Sequence, residues 1–131
     1  MTGGSGNVAS GNFASVSGGV ENLASGGNAS ISGGGSNIAS DLSSVSGGNN
    51  NTASGLFSAV SSGENNVASG WGASVSGGAG NTGGGRDMVI IGGQNVSDFI
   101  DFYDSTQGSF PVNSRLYGLA TRSLHVLTIN A

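Results

Sequence analysis

The sequence predicts an all-β fold in which about six coils of 15 residues stack into a β-solenoid, or β-roll. Two observations lead to this prediction: one 15-residue phrase recurs six times, and apolar residues alternate with serine inside each copy. A short fixed period is typical of one structural unit stacked on itself, each copy burying its apolar face against its neighbours. Helix is disfavoured because Gly and Ser are abundant and no 3.6-residue period is present.

The repeated phrase is Asn-x-Ala-Ser-Gly-x-x-Ala-Ser-Val-Ser-Gly-Gly-x-x, and it occupies most of a first region that spans residues 1–95. Successive copies are 15 residues apart, except for one step of 14. The phrase begins at Asn7, Asn22, Asn37, Asn51, Asn66 and Asn81. A disordered Gly/Ser linker has no physical reason to keep such a register, so the repeat indicates an ordered structure.

Each copy predicts two short strands separated by turns. Ala14-Ser15-Val16-Ser17 alternates between apolar residues and serine, which is typical of a half-buried strand with one face inward. Asn22-Leu23-Ala24-Ser25, from the first half of the next copy, predicts another short strand. Each of these strands is followed by a single Gly or by a Gly-Gly pair, which indicates a turn, because glycine readily adopts positive φ.

Stacked coils place identical residues one above another along a rod. Because neighbouring strands lie about 4.8 Å apart, six coils give a rod roughly 30 Å long. The recurrent asparagine is expected to form a ladder of stacked amides at a corner, where it also tolerates the left-handed backbone conformation. The enclosed core is expected to be thin and built from Ala and Val.

The second position of the phrase predicts an apolar row on the outside of a single rod. This row contains Val8, Leu23, Ile38 and Val67 and is interrupted by threonine at positions 52 and 82. Contiguous exposed apolar stripes usually mark an interface. We therefore expect the chain to associate with itself, and a homotrimer is the expected assembly.

The two variable positions between the half-coils are the other candidate contact residues. They contain Asn12-Phe13, Gly27-Asn28, Leu42-Ser43, Leu56-Phe57, Trp71-Gly72 and Arg86-Asp87. Aromatic side chains at such tight turns are too large for the interior of a narrow roll. Phe13, Leu56, Phe57 and Trp71 are therefore expected either to pack against neighbouring chains or to form an exposed ridge that contacts a ligand. A third reading is that large side chains are simply tolerated at these loop tips.

The segment Ala9–Gly18, with the sequence ASGNFASVSG, resembles the A-x-G-x-x-A-x-A-x-G repeat of YadA-like heads in trimeric autotransporter adhesins. Related repeats in bacteriophage tail fibres are similar. The resemblance covers about residues 7–95 and implies an interlocked trimer of left-handed β-rolls that holds adhesive surfaces away from a cell or virion. The period of 15 departs from the 14 of that family. The absence of a stalk, anchor and signal peptide favours a fragment, a fibre tip or a separate fibre protein.

Residues 96–131 have an ordinary globular composition and predict a β-rich C-terminal segment. Phe99–Tyr103 and Ser123–Ile129 have the pattern of strands. An open last coil exposes unpaired backbone, so this segment is expected to cap the solenoid and join the chains. Two alternatives are a receptor-binding tip and a terminal strand that pairs with the next subunit of a filament.

The composition argues against several classes of function. The net charge is −4, lysine is absent and residues 1–85 contain no basic residue, which disfavours nucleic-acid binding. No apolar run approaches the length that spans a bilayer, so membrane insertion is not expected.

We also expect no cofactor, no metal ion and no catalysis. The Gly78–Gly83 segment matches a dinucleotide motif only formally, and neither His125 nor the trio Asp98, Asp101 and Asp104 is expected to form a site.

These patterns together predict a structural and adhesive fibre protein that is extracellular, on a cell surface or part of a virion. Its expected partners are further copies of itself and a receptor or glycan of a host cell or other surface. Two alternatives are a subunit of a self-assembling extracellular filament and an ice-binding solenoid. The second of these is disfavoured because the outward rows are mostly Ser and contain little Thr.

Overall fold

The computed structural model describes residues 3–98, 114–117 and 126–129. Within these residues the regular secondary structure consists of β-strands alone, which confirms the predicted all-β solenoid. Six coils stack in parallel, and the strand Ser97–Asp98 begins a seventh by pairing with Thr82–Gly83 of the coil before it.

One sheet is formed by the first strand of each coil, and it lies on one side of the rod. Its seven strands pair in parallel and follow one another in coil order. They are β1 (Val8–Ala9), β3 (Leu23–Ala24), β5 (Ile38–Ala39), β7 (Thr52–Ala53), β9 (Val67–Ala68), β11 (Thr82–Gly83) and β13 (Ser97–Asp98).

A second sheet is formed by the other strand of each coil and continues past the sixth coil. Its strands are β2 (Ser15–Val16), β4 (Ser30–Ile31), β6 (Ser44–Val45), β8 (Ala59–Val60), β10 (Ser74–Val75), β12 (Val89–Ile90), β14 (Ser114–Tyr117) and β15 (Val126–Ile129). The strand β14 pairs in parallel with β12, and β15 is antiparallel to β14. The strand β15 lies within the stretch Ser123–Ile129 that the sequence predicts as a strand, whereas Phe99–Tyr103 and most of the expected cap lie outside the described residues.

A third line of backbone pairing runs along the rod, in addition to the two predicted strands per coil. Single residues pair in parallel from one coil to the next, beginning with Ser5 and Val20 and ending with Ala79 and Gln94. The sequence gives no strand pattern here because only one residue of each coil takes part and its identity varies from Val to Gly, Asn and Glu. Each coil is therefore held to its neighbours on three sides.

The core is as thin as predicted, because only four inward columns fill it. Three of these columns contain small or medium-sized side chains. The buried members are Val16, Ile31, Val45, Val60, Val75 and Ile90; Ala24, Ala39, Ala53 and Ala68; and Ala29, Ser43, Ser58, Ala73 and Met88. The alternating serines of the second strand face outward, which confirms the predicted half-buried pattern.

The fourth inward column is the predicted asparagine ladder. Asn22, Asn37, Asn51, Asn66 and Asn81 are completely buried. Each ladder asparagine bonds in the same way, as Asn37 shows. Its backbone N–H donates to Oδ1 of Asn22 (3.0 Å), and its own Oδ1 accepts from the N–H of Asn51 (2.9 Å). Its Nδ2 donates to the carbonyl oxygens of Gly33 and Gly48, both at 3.0 Å. Each ladder asparagine therefore ties its own corner to the coils on both sides, through its backbone N–H on one side and its side-chain amide on the other.

The expectation that the ladder asparagines adopt the left-handed conformation is wrong. The positive φ at this corner belongs to the preceding residue, for example Glu21 (57°), Ser36 (52°) and Asn50 (54°). Glycine provides a second left-handed position two residues earlier, as at Gly48 (φ 86°). A side chain at Gly48 would collide with the carbonyl oxygen of Gly63 in the next coil, so this position requires glycine both for φ and for space.

The 14-residue step arises in the third coil, just after β5. In the fourth coil the N–H groups of Ser54 and Gly55 both donate to the carbonyl oxygen of Ala68. In the third coil Ser40 alone makes the corresponding bond, to Ala53 at 2.9 Å, and the turn begins one residue earlier. The outward pair of this turn is consequently Asp41–Leu42. The predicted pair Leu42–Ser43 is wrong, because Ser43 lies in the core.

Replacing Asn37 with alanine removes two donated bonds and leaves the N–H of Asn51 without its acceptor, all in a buried site. We expect the free energy of unfolding to fall by roughly 3–5 kcal/mol, from lost hydrogen bonds and an unsatisfied buried donor. Equilibrium urea denaturation measures this change. The control is Asn49→Ala, which alters an exposed asparagine and is expected to cost less than about 0.5 kcal/mol. Similar losses in the two variants would contradict the structural role of the ladder.

Ser43 and Ser58 provide a second matched pair, because they occupy the same inward column in adjacent coils. The Ser43 hydroxyl lies 2.8 Å from the carbonyl oxygens of Ser40 and Ala53, whereas Ser58 Oγ is buried without a hydrogen-bond partner among the described residues. We expect Ser58→Ala to raise the free energy of unfolding by about 1 kcal/mol and Ser43→Ala to lower it by about 1 kcal/mol. Urea denaturation would refute this account if the two substitutions changed stability in the same direction.

Candidate functional site

The first candidate surface is the outer row, formed by the outward residues of the first sheet: Val8, Leu23, Ile38, Thr52, Val67 and Thr82. These residues are paired in register from coil to coil, as the sequence predicts. Val8 is 47% exposed and Ile38 is 38% exposed, while Leu23 and Val67 are half-buried. The row is therefore a straight apolar stripe along one side of the rod.

A serine face covers the outward side of the second sheet and differs sharply from the outer row. Its members Ser15, Ser30, Ser44 and Ser74 stack in register, and the hydroxyls of Ser15 and Ser30 are 3.4 Å apart. Among the six coils, large apolar residues enter this face only in the sixth, at Val89 and Ile91. The rod consequently has one apolar side and one side of small polar residues.

The second candidate surface is the turn ridge, formed by the two outward residues of the turn between the two strands of each coil. A backbone hydrogen bond closes each turn, for example from Ser58 N to Gly55 O at 3.0 Å. Parallel stacking aligns the turns along one edge of the rod. The ridge contains Asn12–Phe13, Gly27–Asn28, Asp41–Leu42, Leu56–Phe57, Trp71–Gly72 and Arg86–Asp87. Every aromatic residue between positions 3 and 98 lies on this ridge.

Four of the ridge residues form a compact group in the fourth to sixth coils, which we call the aromatic cluster: Leu56, Phe57, Trp71 and Arg86. The Phe57 and Trp71 rings are 5.7 Å apart between centroids, with planes at 78°, which is an edge-to-face contact. The Arg86 guanidinium carbon lies 4.6 Å from the centroid of the Trp71 ring, within the range of a cation–π interaction. Arg86 Nε also lies 4.0 Å from Asp87 Oδ2.

Backbone strain is concentrated at the same turns. The second outward residue of each turn has positive φ, which suits the Asn28, Gly72 and Asp87 found in three of the coils. In the other three coils this position contains Phe13 (φ 59°), Leu42 (55°) and Phe57 (60°). Bulky residues in the left-handed region cost on the order of 1–2 kcal/mol each. Phe13 and Phe57 are 80% and 54% exposed, so the burial of these side chains does not offset that cost.

The structure brings together only some of the residues that the sequence predicts as contact residues. Leu56, Phe57 and Trp71 lie in one cluster, whereas Phe13 is on the same ridge three coils away from Phe57. The predicted residues of the outer row lie on the first sheet, next to the ridge. The stacking of Arg86 on Trp71 was not predicted, although its signal is present in the sequence: the two residues are 15 positions apart and occupy the same slot of the repeat.

The described residues contain no group of three or more His, Cys, Asp or Glu that could hold a metal ion. The Gly78–Gly83 segment leads from the Gly-Gly turn into strand β11, so it does not form the strand-to-helix junction of a dinucleotide site. His125, Asp101 and Asp104 lie outside the described residues. Over the part of the chain that the structure covers, no helix is long and apolar enough to cross a membrane.

Comparison of the chain with protein-family models finds no match, and comparison with curated proteins also finds none. The fold, the outer row and the turn ridge are therefore the features from which a function can be proposed.

Proposed function

We propose that this protein is a structural and adhesive fibre protein. In this proposal the β-solenoid is a stiff rod, several copies associate side by side through the outer row, and the turn ridge is displayed for attachment to a surface. The protein acts through geometry and carries out no bond chemistry. The resemblance of its repeat to YadA-like heads and phage fibres supports a position outside the cell, on a cell surface or on a virion.

The observation that supports this proposal most directly is the outer row. It is straight, in register and apolar over four of six coils, and it lies on a rod whose core has room only for Ala, Val and similar side chains. No further element of the described chain covers it. Association of copies along this row would remove apolar surface from water at about 25 cal/mol per Å². A homotrimer is the proposed assembly, in agreement with the resemblance.

The turn ridge supports the adhesive part of the proposal. Strained and exposed bulky residues persist where Asn or Gly would fit at lower energy, and such strain is typical of positions retained for a function. An assembly of several rods presents several identical ridges. Weak contacts made by each ridge then combine into a stronger attachment through high effective concentration.

The assembly can be tested by the mass of the native protein in light scattering. We expect a discrete trimer for the unaltered chain. Ile38→Glu places a charge in the middle of the outer row and is expected to shift the mass to that of a single chain, because burying an unpaired carboxylate costs more than the interface gains. The matched control is Ser44→Glu, which places the same charge on the serine face of the same coil and is expected to leave the trimer intact.

A single-chain mass for the unaltered protein would overturn the proposed interface. An indefinite polymer would instead support the filament alternative. Circular dichroism of each variant establishes that the solenoid remains folded, so a change of mass can be assigned to the interface.

A further inference from the structure

We infer that the aromatic cluster binds a neutral oligosaccharide of extended, β-linked hexose units, which lies along the turn ridge. This inference rests on the proposed function, because it names the class of ligand that the displayed ridge attaches to. Three observations support it: the chemistry of the cluster, its linear shape and the charge around it.

The cluster combines the two kinds of group that bind sugars. More than half of the Phe57 side chain is exposed, so its ring provides an apolar surface for the C–H face of a hexose. Trp71 is 43% exposed and is held between Phe57 and the Arg86 guanidinium, so its position is fixed before a ligand arrives. Two carboxylates flank the cluster, Asp41 in the third coil and Asp87 in the sixth. Asp41 Oδ1 accepts a hydrogen bond from the Gly27 N–H (2.6 Å) and Asp87 Oδ2 lies 4.0 Å from Arg86 Nε, so the second oxygen of each group is the one that can accept from a sugar hydroxyl.

The shape of the ridge favours an extended chain over a compact ligand. The cluster and its flanking carboxylates occupy four successive coils, so they extend over about 14 Å in a straight line. Each coil advances by about 4.8 Å, which is close to the length of one hexose unit in an extended β-linked chain. Successive sugar units can therefore lie opposite successive turns. Neighbouring units of such a chain are rotated by half a turn, so every second unit meets its turn with the same orientation.

The charge of the rod favours a neutral sugar over an acidic one. Glu21, Asp41, Glu64 and Asp87 are acidic, and Arg86 is the only basic residue between positions 3 and 98. Asp87 lies beside that guanidinium and offsets its charge. An anionic polymer would be repelled by the net negative charge of the rod. Neutral sugar hydroxyl groups, in contrast, can donate hydrogen bonds to the carboxylates and accept them from the guanidinium.

Trp71 is the only tryptophan of the whole chain, so its fluorescence reports on the cluster without labelling. Cellohexaose is titrated into the full-length protein while the Trp71 emission is recorded. We expect a saturable change of emission, and much weaker responses to the curved chain of maltohexaose and to an anionic alginate hexamer. An equal response to maltohexaose, or a stronger response to the alginate, would overturn the inference.

Two matched variants identify the surface that binds. Phe57→Asn removes the exposed ring and introduces a residue that tolerates the same positive φ, and it is expected to weaken cellohexaose binding about tenfold or more. Phe13→Asn makes the identical change at the identical turn position three coils away and is expected to leave the affinity unchanged. Equal weakening by both variants, or by neither, would contradict binding at the cluster.

Light scattering on the same samples separates this inference from the proposed function. A stable trimer whose Trp71 emission does not respond to cellohexaose would overturn the sugar site and leave the fibre proposal standing. An emission that changes when the trimer dissociates on dilution, but not with sugar, would place the cluster between copies and would also overturn the sugar site. A single chain that binds cellohexaose would uphold the sugar site and overturn the trimer.

Discussion

The buried asparagine ladder is the interaction on which the remaining structure depends. Strands of only two residues make too few backbone bonds to fix their own register, and Ala and Val columns tolerate small displacements. Each ladder side-chain amide, in contrast, bonds to its own corner and to the following coil, and the backbone N–H of the same residue bonds to the amide oxygen of the previous coil. The site is buried, so an unpaired amide there would be costly. A coil shifted by one residue would break all of these bonds. The ladder therefore fixes one register for both sheets and for every exposed column.

A fixed register has a direct consequence for the surface. Since each coil places the same position of the repeat above the last, an outward residue type that recurs in most copies forms a stripe along the rod. The outer row and the serine face are two such stripes. The narrow core cannot take up the outer row, because each coil already fills its interior with four inward columns. The apolar stripe therefore follows from the architecture. In the proposed function, association between copies removes this stripe from water.

The features that a recurring residue type marks could be predicted from the sequence, and those that no recurring residue type marks could not. Five copies of Asn-x-Ala-Ser and a sixth of Asn-x-Gly-Gly predict the coil, the ladder and the outward direction of Val8 and Ile38, because these depend only on period and alternation. The third line of pairing escaped prediction, since a single bonded residue per coil leaves no pattern. The identity of the residue with positive φ was also missed, because glycine, glutamate, serine and asparagine all occur there. The shortened third coil obscured the position of Ser43, since a missing residue can be assigned to either side of a turn.

The turn ridge is the part of the molecule where the demands of folding and display conflict. The ladder, the core and the Gly-Gly corners are nearly invariant between copies because all of them hold one coil against the next. The turn tips face outward, so their side chains are free to vary, yet their backbone must still adopt positive φ. Asn28 and Gly72 satisfy both conditions at low cost, whereas Phe57 satisfies the second only with strain. Each coil of a solenoid contacts only its two neighbours, so the strain is confined to three coils. The ladder hydrogen bonds of those coils offset the free-energy cost of the strain. The architecture can therefore carry strained aromatic residues at its edge without loss of register, which is the property that a rigid displayed surface requires.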